Sequence, residues 1–270
     1  MSSALVILDT ETATLLGAPH LLEVGAVRVL EGEICDQFET LVCPQVEIEP
    51  GATSIHGIRE EDVREAPTAR EALIAFREWA GEDLLAAHNA RFDAGVLGFE
   101  YARADLTPPP GAFIDSLQLA RKHIPEAFDH KLDTLCQHLD LEEGPHHRAL
   151  SDAVYCWMVI DECINRQGGP EAVSFENLRG QCGALLTCDR ATPRAPRINR
   201  RLRPIEHALQ DEADIVLVYG DTRQAPINLA VTPRFLYQRH KTGYLEGICH
   251  KTGTLKTYRL DRVHKVLSSA

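Results

Sequence analysis

The 270 residues, 44% hydrophobic and 25% charged, exclude a collagenous, low-complexity or disordered chain and suffice for one large domain or a medium one with a smaller partner. The formal net charge of -12 by itself argues against a nucleic-acid partner, but it is unevenly spread. Up to Asn165 there are 11 Lys and Arg against 30 Asp and Glu, a balance of -19, and after it 17 against 10, a balance of +7. Such an asymmetry points to two modules with different partners.

In chain order, Ala4 to Leu8 is an apolar run ending at Asp9 and reads as a buried strand; Val24 to Leu30 and Ile34 to Val42, parted by Glu31-Gly32, read as a hairpin. Arg59 to Val63 begins a helical stretch, and Thr68 to Ala80 sets Ala72, Leu73, Phe76 and Trp79 on one helical face. Leu84 to Ala87 reads as a strand. Ala90 to Arg103 has helical spacing in Phe92, Val96, Leu97 and Tyr101, and Pro108 to Pro110 stops it. A strand at Ala112 to Ile114 and helices at Ser116 to Lys122, Lys131 to His138 and Ala149 to Cys163 complete an α/β or α+β layer module, residues 1–165. Residues 166–203, with six arginines between Arg190 and Arg203, read as an exposed basic connector. Residues 204–270 hold a short helix, Ile205 to Asp211, then strands at Ile215 to Tyr219, Ile227 to Val231, Phe235 to His240, Tyr244 to His250 and Leu255 to Leu260: a small β-rich module.

The eight cysteines form no C-x-x-C pair and read as reduced, mostly buried thiols. Neither a targeting segment nor a membrane span is expected, hence a cytoplasmic protein.

The chemistry concentrates in carboxylates. Asp9 and Glu11, two apart on a strand, project to the same side from the end of a buried element, where like charges need protons, basic partners or a divalent cation. Asp93 begins a helix directly after a strand. His147 stands five residues before Asp152 at the start of the long helix. Four carboxylates and a histidine converging on one sheet edge form the inventory for two hard cations about 3.5 to 4 Å apart, as in phosphoryl-transfer sites.

The segments Ile7 to Thr12, His88 to Asp93 and His146 to Asp152 resemble the three motifs of the DEDDh family of 3′→5′ exonucleases, which includes proofreading subunits of bacterial replicative polymerases. The likeness runs from Ala4 to Cys163 and includes Leu41 to Ile58 and His130 to Leu141. It implies a ribonuclease H-like fold, a mixed sheet flanked by helices, and release of nucleoside 5′-monophosphates from DNA 3′ ends, preferably single-stranded. It further implies two Mg²⁺ or Mn²⁺ ions held by Asp9, Glu11 and Asp152, with Asp93 assisting through water, and His147 as general base, since imidazole exchanges a proton near neutral pH. His146 is the neighbouring rival, but only His147 has the H-x-x-x-x-D spacing to Asp152. Thr12, His56, Asn89 and Phe92 stand where the family holds the last nucleotide; core packing remains open for Phe92, and a loop-fixing hydrogen bond for His56. Many members continue the first motif as T-G-L, where this chain has Ala13-Thr14-Leu15, so the loop beside the primer end is expected to differ. The remaining histidines, including His20, His123, His130 and His138, read as surface or core residues.

Over Pro204 to Leu267 the chain resembles a WYL domain, a small SH3-like β barrel of bacterial nucleic-acid-linked regulators, through Thr242 to Gly247 and Tyr258 to Val263. Gly243 replaces the tryptophan, while Tyr244 and Leu245 remain. This resemblance implies binding of nucleic acid or a nucleotide-like ligand by Tyr244, Arg259 and Arg262; structural ion pairs among Arg259, Asp261 and Arg262 are the alternative. Two other readings stay open: an exonuclease acting on RNA or short oligonucleotides, and a ligand-sensing regulatory protein that uses the fold as a scaffold. A scaffold has no physical reason to gather four repelling carboxylates. An association with DNA repair or replication proteins is a further expectation.

Overall fold

Strand β1 (Leu5–Thr12) is apolar on both sides in its first half: Leu5 and Ile7 enter one core, Val6 and Leu8 another, as a two-residue period demands. Only an interior strand covered on both faces tolerates such a run. In the computed structural model, which describes residues 4–141, 147–221 and 225–268, β1 lies at the centre of a mixed sheet. β2 (Leu21–Leu30) and β3 (Glu33–Leu41) continue it antiparallel on one side; β4 (Leu84–Ala87) and β5 (Phe113–Asp115) run parallel on the other, giving the order β3-β2-β1-β4-β5.

Two short helices, α1 (Pro50–His56) and α2 (Glu60–Val63), follow β3. α3 (Ala69–Ala80) and α4 (Arg91–Arg103) cover the Val6/Leu8 face with Leu73, Phe76, Leu97 and Tyr101. α5 (Ser116–His123), α6 (Leu132–His138) and α7 (Ala149–Asn165) cover the Leu5/Ile7 face with Leu119, Leu135, Cys156 and Ile160. Each fully buried Leu, Ile or Phe contributes about 1.5–3 kcal/mol, so these two cores fix which carboxylates leave which face of the sheet.

Residues 166–192 differ from the connector expected there. α8 (Phe175–Gln181) and α9 (Cys188–Ala191) place Leu178, Cys182 and Cys188 in the cores of the first unit, Met1–Thr192. Both are short helices capped by hydroxyls, Ser174 accepting from the Asn177 amide and Thr187 from the Arg190 amide.

The second unit, Pro193–Ala270, has its own core around Leu202, Ile205, Leu217, Val231 and Leu245. A 3-10 turn (Arg200–Leu202) and α10 (Arg203–Gln210) precede β6 (Ile215–Tyr219), β7 (Ile227–Arg239), β8 (Thr242–Cys249), β9 (Leu255–Arg259) and β10 (Val263–Ser268), an antiparallel sheet ordered β10-β6-β7-β8-β9. The two strands expected around Pro233 are one, with an irregularity between Pro233 and Phe235 that accommodates the missing amide. Among the described residues no ladder joins β9 to β10: a 3-10 turn (Leu260–Arg262) separates them and the sheet stays open, where a closed barrel was expected. All eight cysteines are free, six of them buried. No helix among the described residues is long and apolar enough to cross a membrane.

Candidate active site

Asp9 and Glu11 continue the Leu5/Ile7 side of β1, toward α7, whose first turn carries Asp152. Carboxylate oxygens of the three lie within 4.8 Å of one another. Asp93 reaches the same edge from α4, on the opposite face: its Oδ1 accepts a hydrogen bond of 2.8 Å from Thr10 Oγ1, and its Oδ2 is buried with no hydrogen-bond partner among the described residues.

The close approach of α7 has two causes in β2. Gly25, paired with Asp9 across the ladder, leaves room for the helix start: a Cβ there would lie 2.0 Å from the Leu150 nitrogen. Glu23, fully buried and paired with Glu11, accepts from Arg148 Nε at 3.0 Å and from the Ala149 amide at 3.0 Å, serving the helix end that Arg148 itself does not cap. Leaving such a carboxylate buried without its guanidinium would cost several kcal/mol.

These charges show in the acidities. Burial first, then Asp93, Glu11 and Asp152, push the Asp9 carboxyl well above its usual range. Burial, then Asp152, Glu23 and Asp93, raise Glu11 to about 8, and burial raises Asp93 to about 7 against the Thr10 hydrogen bond. Clustered, poorly solvated carboxylates with an orphaned buried oxygen at Asp93 are the donor set that hard divalent cations take.

His147 lies exposed on the cavity that Asp9 and Asp152 also line, of about 850 Å³. Its backbone is left-handed, with φ 61°, and its amide donates to Asp152 Oδ2 at 3.2 Å. His146 lies outside the described residues. Asn89 lines the same cavity, held at φ 60° with its amide donating to Asp115 Oδ1. Phe92 is 50% exposed, so it is not the core residue of the alternative reading. Thr12 is buried and donates to the Thr14 carbonyl. His56 is buried too: Nδ1 accepts from the Ile58 amide at 3.0 Å, fixing the loop, while Nε2 has no hydrogen-bond partner among the described residues, and burial holds the imidazole below its ordinary pKa. Sequence reasoning missed Glu23 and Arg148, and it placed His130 at the surface or in the core, whereas it lines the cavity beside His88, Arg121 and Lys131.

In the second unit, Arg259 is committed to Asp261 through Nε (3.1 Å) and Nη2 (2.7 Å), as the ion-pair alternative has it. Tyr244 stacks on Tyr237 at 5.2 Å between ring centroids, and Arg262 is exposed on the 3-10 turn. A cavity of about 510 Å³ in this unit is lined by Arg197, Arg201 and Lys241; the two arginines come from the arginine-rich stretch read from the sequence as an exposed connector, and Lys241 was not singled out.

The exonuclease family model matches residues 6–159, and the WYL domain model residues 200–267. A PolC-type DNA polymerase III from Oceanobacillus iheyensis is 31% identical over 260 residues, 93% of this chain but 17% of the relative, so the chain spans about a sixth of that protein. Exonuclease X in complex with 5′-overhanging duplex DNA superposes with a TM-score of 0.52 at 28% identity, covering 66% of this chain and 99% of that one. E. coli exonuclease I with single-stranded DNA, in its zinc-bound form, gives 0.58 at 15% identity over 92% of this chain and 55% of that one, a likeness of fold alone. The first unit therefore has the ribonuclease H-like exonuclease fold. Matched over more than half its length, the chain belongs to the exonuclease family.

Proposed function

We propose that this protein is a metal-dependent 3′→5′ exonuclease that removes nucleotides from DNA 3′ ends, preferably single-stranded, and releases nucleoside 5′-monophosphates. The observation that carries it is the Asp9, Glu11 and Asp152 trio within 4.8 Å, with the partnerless Asp93 oxygen on the same edge. These four carboxylates suit two Mg²⁺ or Mn²⁺ ions, which when bound supply positive charge to the attacked phosphate and the departing 3′ oxygen. His147, exposed on the shared cavity, accepts the proton of the attacking water. Asp152 and the left-handed turn at His147 orient that imidazole. Thr12, His56, Asn89 and Phe92 hold the terminal nucleotide; the buried Nε2 of His56 is the donor without a partner there, and half-exposed Phe92 offers a ring to the last base.

The second unit, read as an opened SH3-like barrel of the WYL type, binds nucleic acid or a nucleotide ligand. Arg197, Arg201 and Lys241 around its cavity are better placed for phosphates than Arg259, whose charge Asp261 already takes; Tyr244 and Arg262 add an aromatic face and a cation. Free thiols throughout fit a cytoplasmic enzyme, and likeness to a polymerase polypeptide supports association with replication or repair proteins.

The test is degradation of 5′-labelled single-stranded DNA, duplex DNA and RNA with Mg²⁺ or Mn²⁺, beside Asp152→Ala. A ladder of shortened products that the substitution abolishes, with at least a hundredfold loss of rate on the order of single catalytic-group deletions, is the expected result. No shortening of any polymer or short oligonucleotide overturns the reading.

A further inference from the structure

The segment from His88 to Asp93 gives the site Asn89, Phe92 and Asp93 and leaves its first residue without a role. His88 directly follows β4 and lines the cavity of about 850 Å³, half-buried. Its two ring nitrogens hold different elements: Nδ1 lies 2.7 Å from Ser116 Oγ at the start of α5, and Nε2 lies 2.8 Å from the His130 carbonyl oxygen.

A carbonyl oxygen only accepts, so Nε2 carries the hydrogen of that bond. Burial holds the imidazole below its ordinary pKa, which leaves the ring neutral at neutral pH with a single N–H. Nδ1 is then an acceptor, and the fully buried Ser116 hydroxyl donates to it. With that hydrogen spent, the Ser116 oxygen accepts from the Cys156 thiol at 3.3 Å. The chain of donors therefore has one direction: from Cys156, one turn beyond Asp152 on α7, through Ser116 and His88 to the His130 carbonyl. Beside Ser116, the Asp115 carboxylate takes the Asn89 amide at 3.2 Å, so both residues after β4 are held from the end of β5.

The far end of this chain is the less anchored part of the cavity. Asp129 to Asp133 line it together with Asp9, His147 and Asp152. None of those five is buried, and the nearest core residues on either side are Ala127 and Leu135. Bonds inside the run are local, from the Lys131 amide to Asp129 Oδ1 at 3.0 Å and from the His130 ring to the Ile124 carbonyl at 3.2 Å. Such a stretch has little packing to fix its distance from the carboxylates. His88 supplies a bond from the body of the unit to its middle.

We propose that His88, as the Nε2–H tautomer, is a positioning residue that holds residues 129–133 at a set distance from the carboxylates and so fixes the width of the cavity that receives the DNA end. It acts through that wall and not on the reacting atoms. The inference rests on the exonuclease reading above and extends it to a residue with no proton to exchange in the reaction.

Three substitutions separate the bond from the bulk of the ring. His88→Gln puts an amide N–H near the place of Nε2 and keeps the donor; His88→Asn ends near Nδ1 and keeps only the Ser116 partner; His88→Met matches glutamine in length without a donor. On a single-stranded DNA ten-mer, KM is expected to rise about fivefold in His88→Asn and His88→Met, as for one lost hydrogen bond, and to stay near wild type in His88→Gln. In all three, kcat is largely kept and Mn²⁺ affinity is unchanged, because β1 and α7 carry Asp9, Glu11 and Asp152. An unaltered KM in His88→Met overturns the proposal. So does an equal rise in all three variants, which assigns the effect to the shape of the ring, or a loss of Mn²⁺ affinity. In wild type, long-range ¹H–¹⁵N correlations are expected to show His88 protonated at Nε2 and bare at Nδ1; the opposite tautomer overturns the proposal as well. If wild type shortens no substrate, the exonuclease reading fails separately, and amide hydrogen exchange decides. Faster exchange at Ala127 and Lys131 in His88→Met but not in His88→Gln supports the positioning role, and equal exchange overturns it.

Discussion

At the scale of single residues, the carboxylates hold protons that the unfolded chain would release. Asp9, Glu11 and Asp93 are all raised, Glu11 from 4.5 to about 8 and Asp93 from 3.8 to about 7. Between those limits the folded chain binds more protons than the unfolded one, so without metal its stability falls as pH rises through that window and is greatest below it. Divalent cations replace the protons and remove the slope. Thermal melts in EDTA are thus expected to drop between about pH 5 and pH 8, and melts in Mg²⁺ or Mn²⁺ to drop less. Superimposable curves with and without metal would contradict this account. Asp9, Glu11 and Asp152 were legible because strand period and helix-start spacing need no partner to be seen. Glu23 was not: an acidic residue inside an apolar strand announces nothing until Arg148, 125 positions later, closes on it.

Between elements, the site depends on how near α7 comes to β2. Gly25→Ala would drive a methyl group into the backbone of Ala149 and Leu150. Overpacking of this kind costs about 1–3 kcal/mol or more, and the shift it forces on Asp152 is expected to lower kcat/KM roughly a hundredfold. Melting and steady-state kinetics on the same preparation check both; full activity in a stable Gly25→Ala enzyme would show that the close approach is unnecessary. The sheet and the long helices were readable from periodicity. The shorter pieces were not. α1 hid behind Pro50-Gly51, a turn signal that here opens a helix with proline in its first turn. α8 and α9 are too short to show a face, and only their caps betray them. β10 escaped because three 3-10 residues part it from β9.

For the whole molecule, the charge division survives the revised boundary: up to Thr192 there are 14 Lys and Arg against 33 Asp and Glu, again -19, and from Pro193 onward 14 against 7, again +7. The acidity belongs to the unit with the carboxylate cluster and the basicity to the unit with the Arg197, Arg201 and Lys241 cavity. If that cavity holds phosphates, Arg197→Ala with Arg201→Ala makes single-strand binding less salt-sensitive, lowering the log–log slope by about 0.7 for each lost contact. A slope the same as wild type excludes both arginines from the contact. The end of the first unit has a mechanical side as well. Its last residues are seated on the helix that bears Asp93: a Cβ on Gly98 would meet the Cys188 carbonyl at 2.5 Å and the Thr192 nitrogen at 2.9 Å. The segment that closes this unit is thus braced against α4 five residues beyond the fourth carboxylate, so a side chain at position 98 would push on the helix that holds Asp93.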